Sequence, residues 1–467
     1  MCCEINPFGI EMKLYLLMFL TLIQLNVYSQ VFGTGLSLDD STFSACPKAP
    51  QLISRDLENL PSKVSLRMYA PVPGNQGAFS TCTGWTTAYS ARTIIAAIQN
   101  NWDQEEIKTN ALSPSFIYNQ IRPKSGCDGD ASIIQGMQVL KNEGALTINE
   151  FPYNCNLEVK DQQKEEASEY KIKEYRTIAY RDIKNKVPII RKSISEYNPV
   201  LIAINCPPSF YVAGEVWEPD TSEYNKTFVG HALTVIGYDD NLYGGAFEIM
   251  NSWGTNWGKN GFTWIRYKDF NHFCLWAGEE IPEPIVASSN KIQLSGALSF
   301  RLGDNSPMDV KFNGDYFEMI KPYTSSTQFH LILSNNEPAY VYAIGSDLSN
   351  KCNIIFPFNN KINPYLPYQK NNIALPGEGY SFQLDSTKGK TYFCFFYSPF
   401  KFDIDSVAKQ IEEAKGSFWE RVHTTLNKKM VIANSVKLNV KNSSEINFTS
   451  KSGDDKIMVI LVEIPHV

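Results

Sequence analysis

Three residues that lie far apart along the chain restrict its fold more than any other feature of the sequence. Cys82 precedes a segment with helical periodicity, His231 precedes an apolar strand-like run, and Asn251 ends another such run. Apolar residues recur at helical spacing after the cysteine: Trp85, Ala88, Ala91, Ile94, Ile95 and Ile98. If the three residues act together, the start of a helix must face the ends of two strands across a cleft.

The side chains of these residues suit nucleophilic attack by a thiolate. A free cysteine with a pKa of about 8.5 is mostly protonated at neutral pH, and a neighbouring imidazolium lowers that pKa. A helix N-terminus, which carries about half a positive charge, has the same effect. We expect His231 to hold the proton and deliver it to a leaving amine. Asn251 is expected to hydrogen-bond the far ring nitrogen and to fix the plane of the imidazole.

Gln76 lies shortly before the cysteine. Its side-chain amide is expected to face a developing oxyanion beside the backbone N–H of Cys82, and one such donor contributes roughly 3 kcal/mol of transition-state stabilisation. Each residue alone has a structural explanation, since a single cysteine is usually a small buried hydrophobic residue and a single histidine before a strand usually packs. The joint occurrence of all four in one order, within one domain-sized span, favours the catalytic interpretation.

Longer motifs around these residues resemble those of the papain-like cysteine peptidases. Residues 75–82 meet the family pattern N-Q-G-x-x-x-x-C, and residues 230–232 meet the pattern G-H-A. Residues 251–261 meet the block N-S-W-G-x-x-W-G-x-x-G in full. The resemblance extends over roughly residues 60–285 and is to bacterial secreted members of the family.

The resemblance implies a catalytic triad of Cys82, His231 and Asn251, with Gln76 in the oxyanion hole. It implies that Trp253 shields the His–Asn hydrogen bond from water, which strengthens the bond by lowering the local dielectric. The implied fold class is α+β, with a helical left subdomain and a β-barrel-like right subdomain on either side of a cleft. The implied partner is a protein or peptide substrate, and no cofactor or metal is expected.

Three departures from the family pattern leave the bond-making groups in place. Residues 79–83 read F-S-T-C-T, whereas papain and the cathepsins carry C-G-[SA]-C-[WY]. Gly230 stands where several relatives have an acidic residue before the histidine. Asp130 replaces a glycine of a cleft landmark. Its carboxylate either puts a charge on one cleft wall and alters specificity or faces solvent, and the sequence favours the second.

The N-terminal sequence indicates export. Lys13 precedes the apolar run 14–28, so we predict a secretory signal peptide over residues 12–29 and a secreted, periplasmic or extracellular (cell-surface) protein. The run is shorter than the ~20 apolar residues that cross a bilayer, and no membrane span is expected. The net charge of -6 gives no electrostatic reason to expect a nucleic acid partner.

The rest of the chain divides into four predicted parts. Residues 30–60 are a short pro-segment or extended N-terminal arm, too short for the helical propeptide of many relatives and expected to pack along the surface; whether it inhibits is left open. Residues 61–285 form the peptidase domain, and residues 286–290 belong to a Pro- and Ser-rich linker that begins near residue 281. Residues 291–467 form a β-rich α+β accessory domain, which resembles an uncharacterised domain of bacterial secreted and surface proteins; its partner is unknown.

Periodicity predicts several further elements. We expect a helix near residues 133–141 that is ended by Gly144, an exposed charged segment over residues 160–174, and one helix over residues 405–426. The predicted strands are 200–205, 232–238, 247–251, 262–267, 298–302, 310–312, 329–333, 339–344 and 457–463.

An oxidising compartment would permit disulfides among the cysteines that follow the signal segment. Cys155 is the nearest candidate partner of Cys127. The papain-like resemblance suggests a second bridge, and the C-terminal domain offers a third candidate pair. These two pairs are Cys206–Cys274 and Cys352–Cys394. The sequence leaves the connectivity open.

Two functional hypotheses of different classes follow. The first is a secreted cysteine endopeptidase that forms a thioester acyl-enzyme at Cys82. The second is a catalytically inactive papain-fold binding or adhesion protein whose C-terminal domain carries the function. A transpeptidase on the same scaffold is a lesser alternative.

Overall fold

The computed structural model describes residues 32–284, 292–431, 436–452 and 455–467. The predicted signal peptide at residues 12–29 and the predicted linker at residues 286–290 therefore lie outside the described residues. Within the described ranges, no helix is both long and apolar enough to cross a membrane.

Residues 32–62 form an extended arm that carries two short helices, α1 (Asp40–Ala45) and α2 (Arg55–Glu58). The first helix begins after Asp39, whose side chain accepts a hydrogen bond from the backbone N–H of Ser41. Phe43 of α1 is buried and packs on Trp276, with the two ring centroids 5.5 Å apart. This contact fixes the middle of the arm on the first domain.

The helical part of the first domain is built around one long helical run that begins at Cys82. It consists of α3 (Cys82–Gly84), a π-helical stretch (Trp85–Arg92) and α4 (Thr93–Asn100). The other helices of this part are α5 (Gln104–Asn110), α6 (Pro114–Ile121), α7 (Ile133–Asn142) and α8 (Asp161–Glu166). Gly144 follows α7 with a φ of 95°, a left-handed conformation that glycine adopts without strain. The predicted helices after Cys82 and near residues 133–141 are thus present.

The other part of the first domain is an eight-stranded sheet. Its strands are β1 (Lys63–Ser65), β2 (Ile172–Tyr180), β3 (Val200–Asn205), β4 (Val216–Trp217), β5 (Gly230–Asp239), β6 (Ala246–Met250), β7 (Phe262–Arg266) and β8 (Cys274–Pro282). Their order is β2-β8-β3-β5-β6-β7-β4, and β1 pairs with β5. Three helices lie between strands: α9 (Val187–Ser195), α10 (Pro208–Tyr211) and α11 (Tyr267–Phe273). The four strands predicted for this part correspond to β3, β5, β6 and β7.

The sheet separates two hydrophobic cores, because alternate residues of a strand point to opposite faces. Val200 and Ile202 of β3 pack in one core, whereas Leu201 and Ala203 pack in the core shared with the helical part. Every residue of β3 is buried, which explains why its sequence is continuously apolar rather than alternating. Its neighbour β5 contacts α3, so the start of β5 lies against the helix that begins at Cys82.

The second domain contains two sheets around a shared core. The seven-stranded sheet consists of β10 (Val310–Phe312), β11 (Phe317–Met319), β13 (Ala339–Ser346), β14 (Cys352–Phe356), β15 (Tyr365–Leu366), β18 (Gly389–Ser398) and β21 (Met458–His466). The six-stranded sheet consists of β9 (Ile292–Leu302), β12 (Gln328–Asn335), β16 (Asn371–Leu375), β17 (Phe382–Gln383), β19 (Val436–Lys441) and β20 (Glu445–Ser452). Phe395 of β18 points into the shared core, whereas Phe396 points to the opposite face, where α12 (Ile404–Glu413) and α13 (Phe418–Leu426) pack. The domain is β-rich α+β, as predicted.

The prediction of one helix over residues 405–426 is wrong. Gly416 adopts a φ of 109° and interrupts the run between α12 and α13. Ser417 then caps α13, because its side chain accepts the backbone N–H of Glu420 while the Glu420 side chain accepts the backbone N–H of Ser417. A glycine followed by a capping box therefore outweighs the apolar periodicity.

Two predictions about exposed segments also need correction. Within residues 160–174, Ile172 and Glu174 belong to β2 and are buried. Ile281 lies in the stretch that was predicted to begin the linker, but it belongs to β8 and packs in a core of the second domain. Charge and proline content misled both predictions, because Glu174 and Ile281 lie where the two domains meet and Ile172 packs in a core of the first domain.

One of the candidate disulfides is formed, between Cys127 and Cys155. The prediction of a Cys352–Cys394 pair is wrong, and both residues are free. Cys352 lies on β14 and Cys394 on β18, the two strands that flank β13. Two strand spacings separate their backbones by about 9–10 Å, whereas a disulfide requires Cα atoms within about 7 Å.

The predicted Cys206–Cys274 bridge is also absent, since both cysteines are free and buried. Cys274 is paired with Ile204 across β3 and β8, so Cys206 stands two residues beyond its register partner. Such diagonal neighbours lie about 7–8 Å apart. The thiol of Cys274 instead donates to the carbonyl of Trp276 at 3.4 Å.

We expect that replacing Cys127 and Cys155 together by serine lowers the free energy of unfolding by about 3–4 kcal/mol, since the bond joins positions separated by 28 residues. Urea unfolding of the variant and of the unaltered chain measures the difference. Unfolding the unaltered chain in the presence of a reductant is the control and should reproduce the shift. Equal stabilities with and without the bond would contradict the expectation.

Candidate active site

The loop before Cys82 is fixed by backbone contacts with the loop after β6. Asn75 forms an isolated bridge with Trp253. The backbone N–H of Gln76 donates to the carbonyl of Ser252 at 2.8 Å. The segments that carry the predicted oxyanion donor, the nucleophile and the asparagine are therefore joined directly, although they come from opposite sides of the cleft.

His231 and Asn251 lie at the ends of neighbouring strands, where β5 pairs with β6. Nε2 of His231 is 2.9 Å from Oδ1 of Asn251, and the same oxygen accepts the backbone N–H of Ser252 at 2.8 Å. Because a backbone N–H can only donate, this oxygen is the acceptor in both bonds and Nε2 carries the ring proton. Nδ1 therefore holds the lone pair, and it has no hydrogen-bond partner within the described part of the chain.

Trp253 covers the imidazole from one side. The two rings are stacked, with centroids 4.6 Å apart and planes inclined by 16°. The indole is fully buried, and its N–H donates to the carbonyl of Gly33 at 2.7 Å. The tryptophan thus contacts both the histidine and the N-terminal arm.

Gln76 is buried, and its side-chain amide is held at both ends. Its Oε1 accepts the hydroxyl of Ser252 at 2.6 Å. This bond leaves the amide nitrogen directed away from Ser252, where it donates to the carbonyls of Phe79 at 2.7 Å and of Thr34 at 3.1 Å. The Gln76 amide, which faces the cleft, is therefore already hydrogen-bonded to a carbonyl oxygen of the arm, that of Thr34.

The thiol of Cys82 is fully buried in this arrangement. Burial raises its pKa to about 12, against the lowering effect of the Ala232 backbone N–H, and the nearby Asp130 carboxylate adds to the rise. Burial lowers the pKa of His231 to about 4, although its bond to Asn251 acts in the other direction. Both shifts favour the neutral form, so burial opposes the expected thiolate–imidazolium pair while the site is covered.

The cover is supplied by residues 33–37 of the arm, which we call the plug. On the helical side, the plug contacts the loop that contains Cys127 and Ala131. The backbone N–H of Ala131 donates to the carbonyl of Gly35 at 2.9 Å, and the N–H of Ser37 donates to the carbonyl of Ala131 at 3.1 Å. It contacts the sheet side through the N–H of Leu36, which donates to the carbonyl of Gly230 at 3.4 Å. The arm thus runs through the cleft itself and not only over the outer surface.

Two glycines let the plug approach the cleft floor closely. A Cβ on Gly33 would lie 2.1 Å from the carbonyl oxygen of Phe79, and one on Gly35 would lie 2.3 Å from backbone atoms of Ser80. Gly35 also has a φ of 106°, which other residues adopt only with strain. The G-T-G sequence at residues 33–35 is the signal that could have identified the plug before the structure.

The structure also adds residues that the sequence analysis did not single out. Ser252 orients the amide of Gln76. The hydroxyl of Tyr153 donates to the carbonyl of Gln76 at 3.1 Å and lies 2.8 Å from the hydroxyl of Thr81, beside the cysteine. Ser252 could have been found from its place inside the 251–261 block, whereas the role of Tyr153 depends on packing. Among the described residues, no cluster of three or more histidine, cysteine or acidic side chains could hold a metal ion.

Comparison with known proteins agrees with this geometry. Residues 75–280 match the family described as Papain family cysteine protease. Cathepsin J from Mus musculus is 30% identical over 218 residues, which cover 43% of this chain and 58% of that protein. Cathepsin L2 from Homo sapiens is 28% identical over 231 residues, which cover 46% of this chain and 63% of that protein. The part of the chain that carries the site is thus similar to papain-family cysteine proteases.

The chain spans less than two thirds of the length of either cathepsin. Among solved structures, xylellain, a cysteine protease from Xylella fastidiosa, is similar with 23% sequence identity and a TM-score of 0.44. The match covers 55% of this chain and 97% of that one. The second domain lies outside the family match, which ends at residue 280.

Proposed function

We propose that this chain is a peptidase that hydrolyses peptide bonds through a thioester on Cys82, and that the arm keeps it latent. The observation that carries the proposal is the state of His231. Its Nε2–H is fixed by the side chain of Asn251, and its Nδ1 lone pair is left without a partner beside the helix that begins at the cysteine. This is the arrangement that a thiol nucleophile requires of its base.

In the first half of the reaction, Nδ1 of His231 takes the proton of the Cys82 thiol, and the sulfur attacks the substrate carbonyl carbon. The carbonyl oxygen becomes an oxyanion, which accepts the amide N–H of Gln76 and the backbone N–H of the cysteine. The C–N bond then breaks, the electron pair leaves with the amine, and the imidazolium returns the proton to that amine. The products of this half are a thioester and a free amine.

In the second half, water attacks the thioester carbon while Nδ1 of His231 accepts a proton from the water. The same donors, Gln76 and the backbone of Cys82, hold the second oxyanion. The C–S bond breaks and the sulfur regains the proton from the imidazolium. A carboxylic acid leaves, and the enzyme returns to its starting state.

Latency follows from the burial of both reacting groups. Burial is the first cause of the raised pKa of Cys82 and of the lowered pKa of His231. When the plug leaves, water reaches both groups and each pKa moves back towards its ordinary value. A proton transfer from thiol to imidazole then becomes far less costly. Removal of the plug also frees the amide of Gln76 from the carbonyl of Thr34.

Export is part of the proposal. It is supported by the signal-like sequence at residues 12–29 and by the disulfide between Cys127 and Cys155, because disulfides persist in oxidising compartments. The substrates we propose are unfolded or extended proteins, cleaved within the chain.

A thiol-directed epoxide tests the proposal. We expect the chain to react slowly with the epoxide while the arm is bound, and quickly once the arm has been cut at residues 58–62 and washed away in dilute urea. Mass mapping should locate the label on Cys82 and not on the other free cysteines, and the labelled protein should no longer cleave unfolded casein. If the arm-free chain takes up no label and cleaves nothing, it is instead an inactive binding or adhesion protein.

A further inference from the structure

Residues 48–56 of the arm, which we call the anchor, lie between the two domains. At one end of the anchor, the backbone N–H of Ala49 donates to the carbonyl of Thr177 in β2 at 2.8 Å. On the opposite side, the N–H of Lys48 donates to the carbonyl of Lys361 at 2.6 Å, and the N–H of Asn363 donates back to Lys48 at 2.8 Å. Here the arm is paired like a strand with each domain at once.

At its other end, the hydrogen bonds of the anchor to the rest of the protein go to the second domain. The N–H of Ile53 donates to the carbonyl of Asn372 at 2.9 Å, and the N–H and amide of Asn372 donate to the Asp56 carboxylate at 2.8 Å and 3.0 Å. The N–H and hydroxyl of Ser54 donate to the Glu378 carboxylate at 2.9 Å and 2.6 Å. Two carboxylates, one on each partner, therefore accept hydrogen bonds from four donor groups across this contact.

Apolar packing around the anchor is incomplete. Beneath residues 49–57 lies a cavity of about 360 Å³ between the arm and both domains. Leu52 and Leu57 line it from the arm, and Ile178 and Ile189 line it from the first domain. Because the space is incompletely filled, the polar contacts with the second domain carry much of the attachment of the anchor.

A buried polar network fixes the second domain against the first. Arg176 is paired with Glu279 at 2.9 Å, and both side chains are almost fully buried. The hydroxyl of Tyr368 donates to Glu279 at 3.0 Å, and the hydroxyl of Tyr340 donates to Glu174 at 2.8 Å. Both tyrosines belong to the second domain, so the surface that holds the anchor has a fixed position relative to the cleft.

We propose that the surface formed by residues 361–363, Asn372 and Glu378 is a clamp whose partner is the anchor of the same chain. The clamp determines how long the plug remains in the cleft. The two parts of the arm act together because α1 connects them and is itself docked through Phe43. This inference rests on the proposed latent peptidase and assigns a role to the second domain within it.

The clamp has a consequence for activation. The arm is joined to the first domain by residues 58–62, most of which are exposed and open to proteolysis. A cut at this point severs the covalent connection but leaves the clamp and the plug in place. Cutting and activation are therefore separate steps, and release of the arm from the second domain is the slower one.

The test uses the full-length chain with a specific protease site in place of residues 58–61. After cutting, gel filtration over time measures how fast the arm fragment leaves the rest of the chain, which requires no catalytic activity. We expect the double substitution Asp56→Ala and Glu378→Ala to speed this release by about 5- to 50-fold, because it removes acceptors of charge-assisted hydrogen bonds. Peptidase activity should then appear with the same faster time course.

A matched control, made in the same cleavable chain, replaces two exposed residues that take no part in these hydrogen bonds, one in the arm and one on α12, through Arg55→Ala and Glu413→Ala. Neither should change the release rate. If the cut chain releases its arm equally fast with and without the Asp56 and Glu378 substitutions, the clamp is refuted. If release responds as expected but the arm-free chain neither cleaves casein nor takes up epoxide, the clamp stands and the proposed peptidase function fails.

Discussion

Substituting Cys82 with alanine is expected to reduce kcat/KM for peptide hydrolysis by roughly 10⁶-fold, to the level of a chain that lacks its catalytic residues. In the proposed mechanism, the alanine lacks the sulfur that bonds to the substrate carbonyl carbon. His231→Ala should cause a loss of similar size, because the thiol is not deprotonated without its base. The double variant should be no worse than either single variant, since residues that act as one unit are not additive. Rates with a fluorogenic peptide, measured on arm-free protein, check all three.

Cys352→Ala is the matched control, because this free cysteine lies in the second domain and is half-buried. It should leave kcat/KM unchanged. His272→Ala serves the same purpose for the histidine, since His272 is exposed on α11 and hydrogen-bonds the backbone of Tyr224. Turnover that survives the loss of His231 would overturn its assignment as the base.

The substitution Gly35→Ala is expected to end latency without any cut in the chain. The added methyl group would lie 2.3 Å from backbone atoms of Ser80, and the residue would have to keep a φ of 106°. Strain of this kind costs on the order of 2–3 kcal/mol, which corresponds to roughly a 30- to 150-fold shift towards the open cleft. The rate of Cys82 labelling by the epoxide in the uncut protein measures this shift.

Gly214→Ala provides the comparison, because a Cβ at that position meets no atom within 4 Å. This variant should label as slowly as the unaltered chain. Equal labelling rates for the two variants would show that the plug does not control access to the thiol.

Sequence periodicity and motif spacing were sufficient for the elements that support the site. The helical run from Cys82 and the buried strand β3 follow directly from the spacing and length of their apolar residues. The family motifs then identified the histidine, the asparagine and the glutamine as candidates, and the structure places them around one cleft. Local patterns succeed here because each element buries a single continuous face.

Features that depend on register or on contacts between distant segments could not be predicted. The pairing of Cys394 was misjudged because the sequence does not show that β13 lies between β14 and β18. Glu174 was expected at the surface because its partners Lys141 and Tyr340 are remote in the sequence. The plug could not be predicted for the same reason, since position 35 requires glycine only because the fold places the backbone of Ser80 beside it.

The position of Trp253 makes its fluorescence a reporter of whether the arm is bound. Its indole stacks on the imidazole and on the ring of Phe32, with ring centroids 4.6 Å and 4.9 Å away, and its N–H is bonded to the arm. Departure of the arm would take away that bond and admit solvent to the chromophore. Emission from this indole would then shift to longer wavelength, so that maturation of the protein can be followed by its intrinsic fluorescence, without substrate or dye.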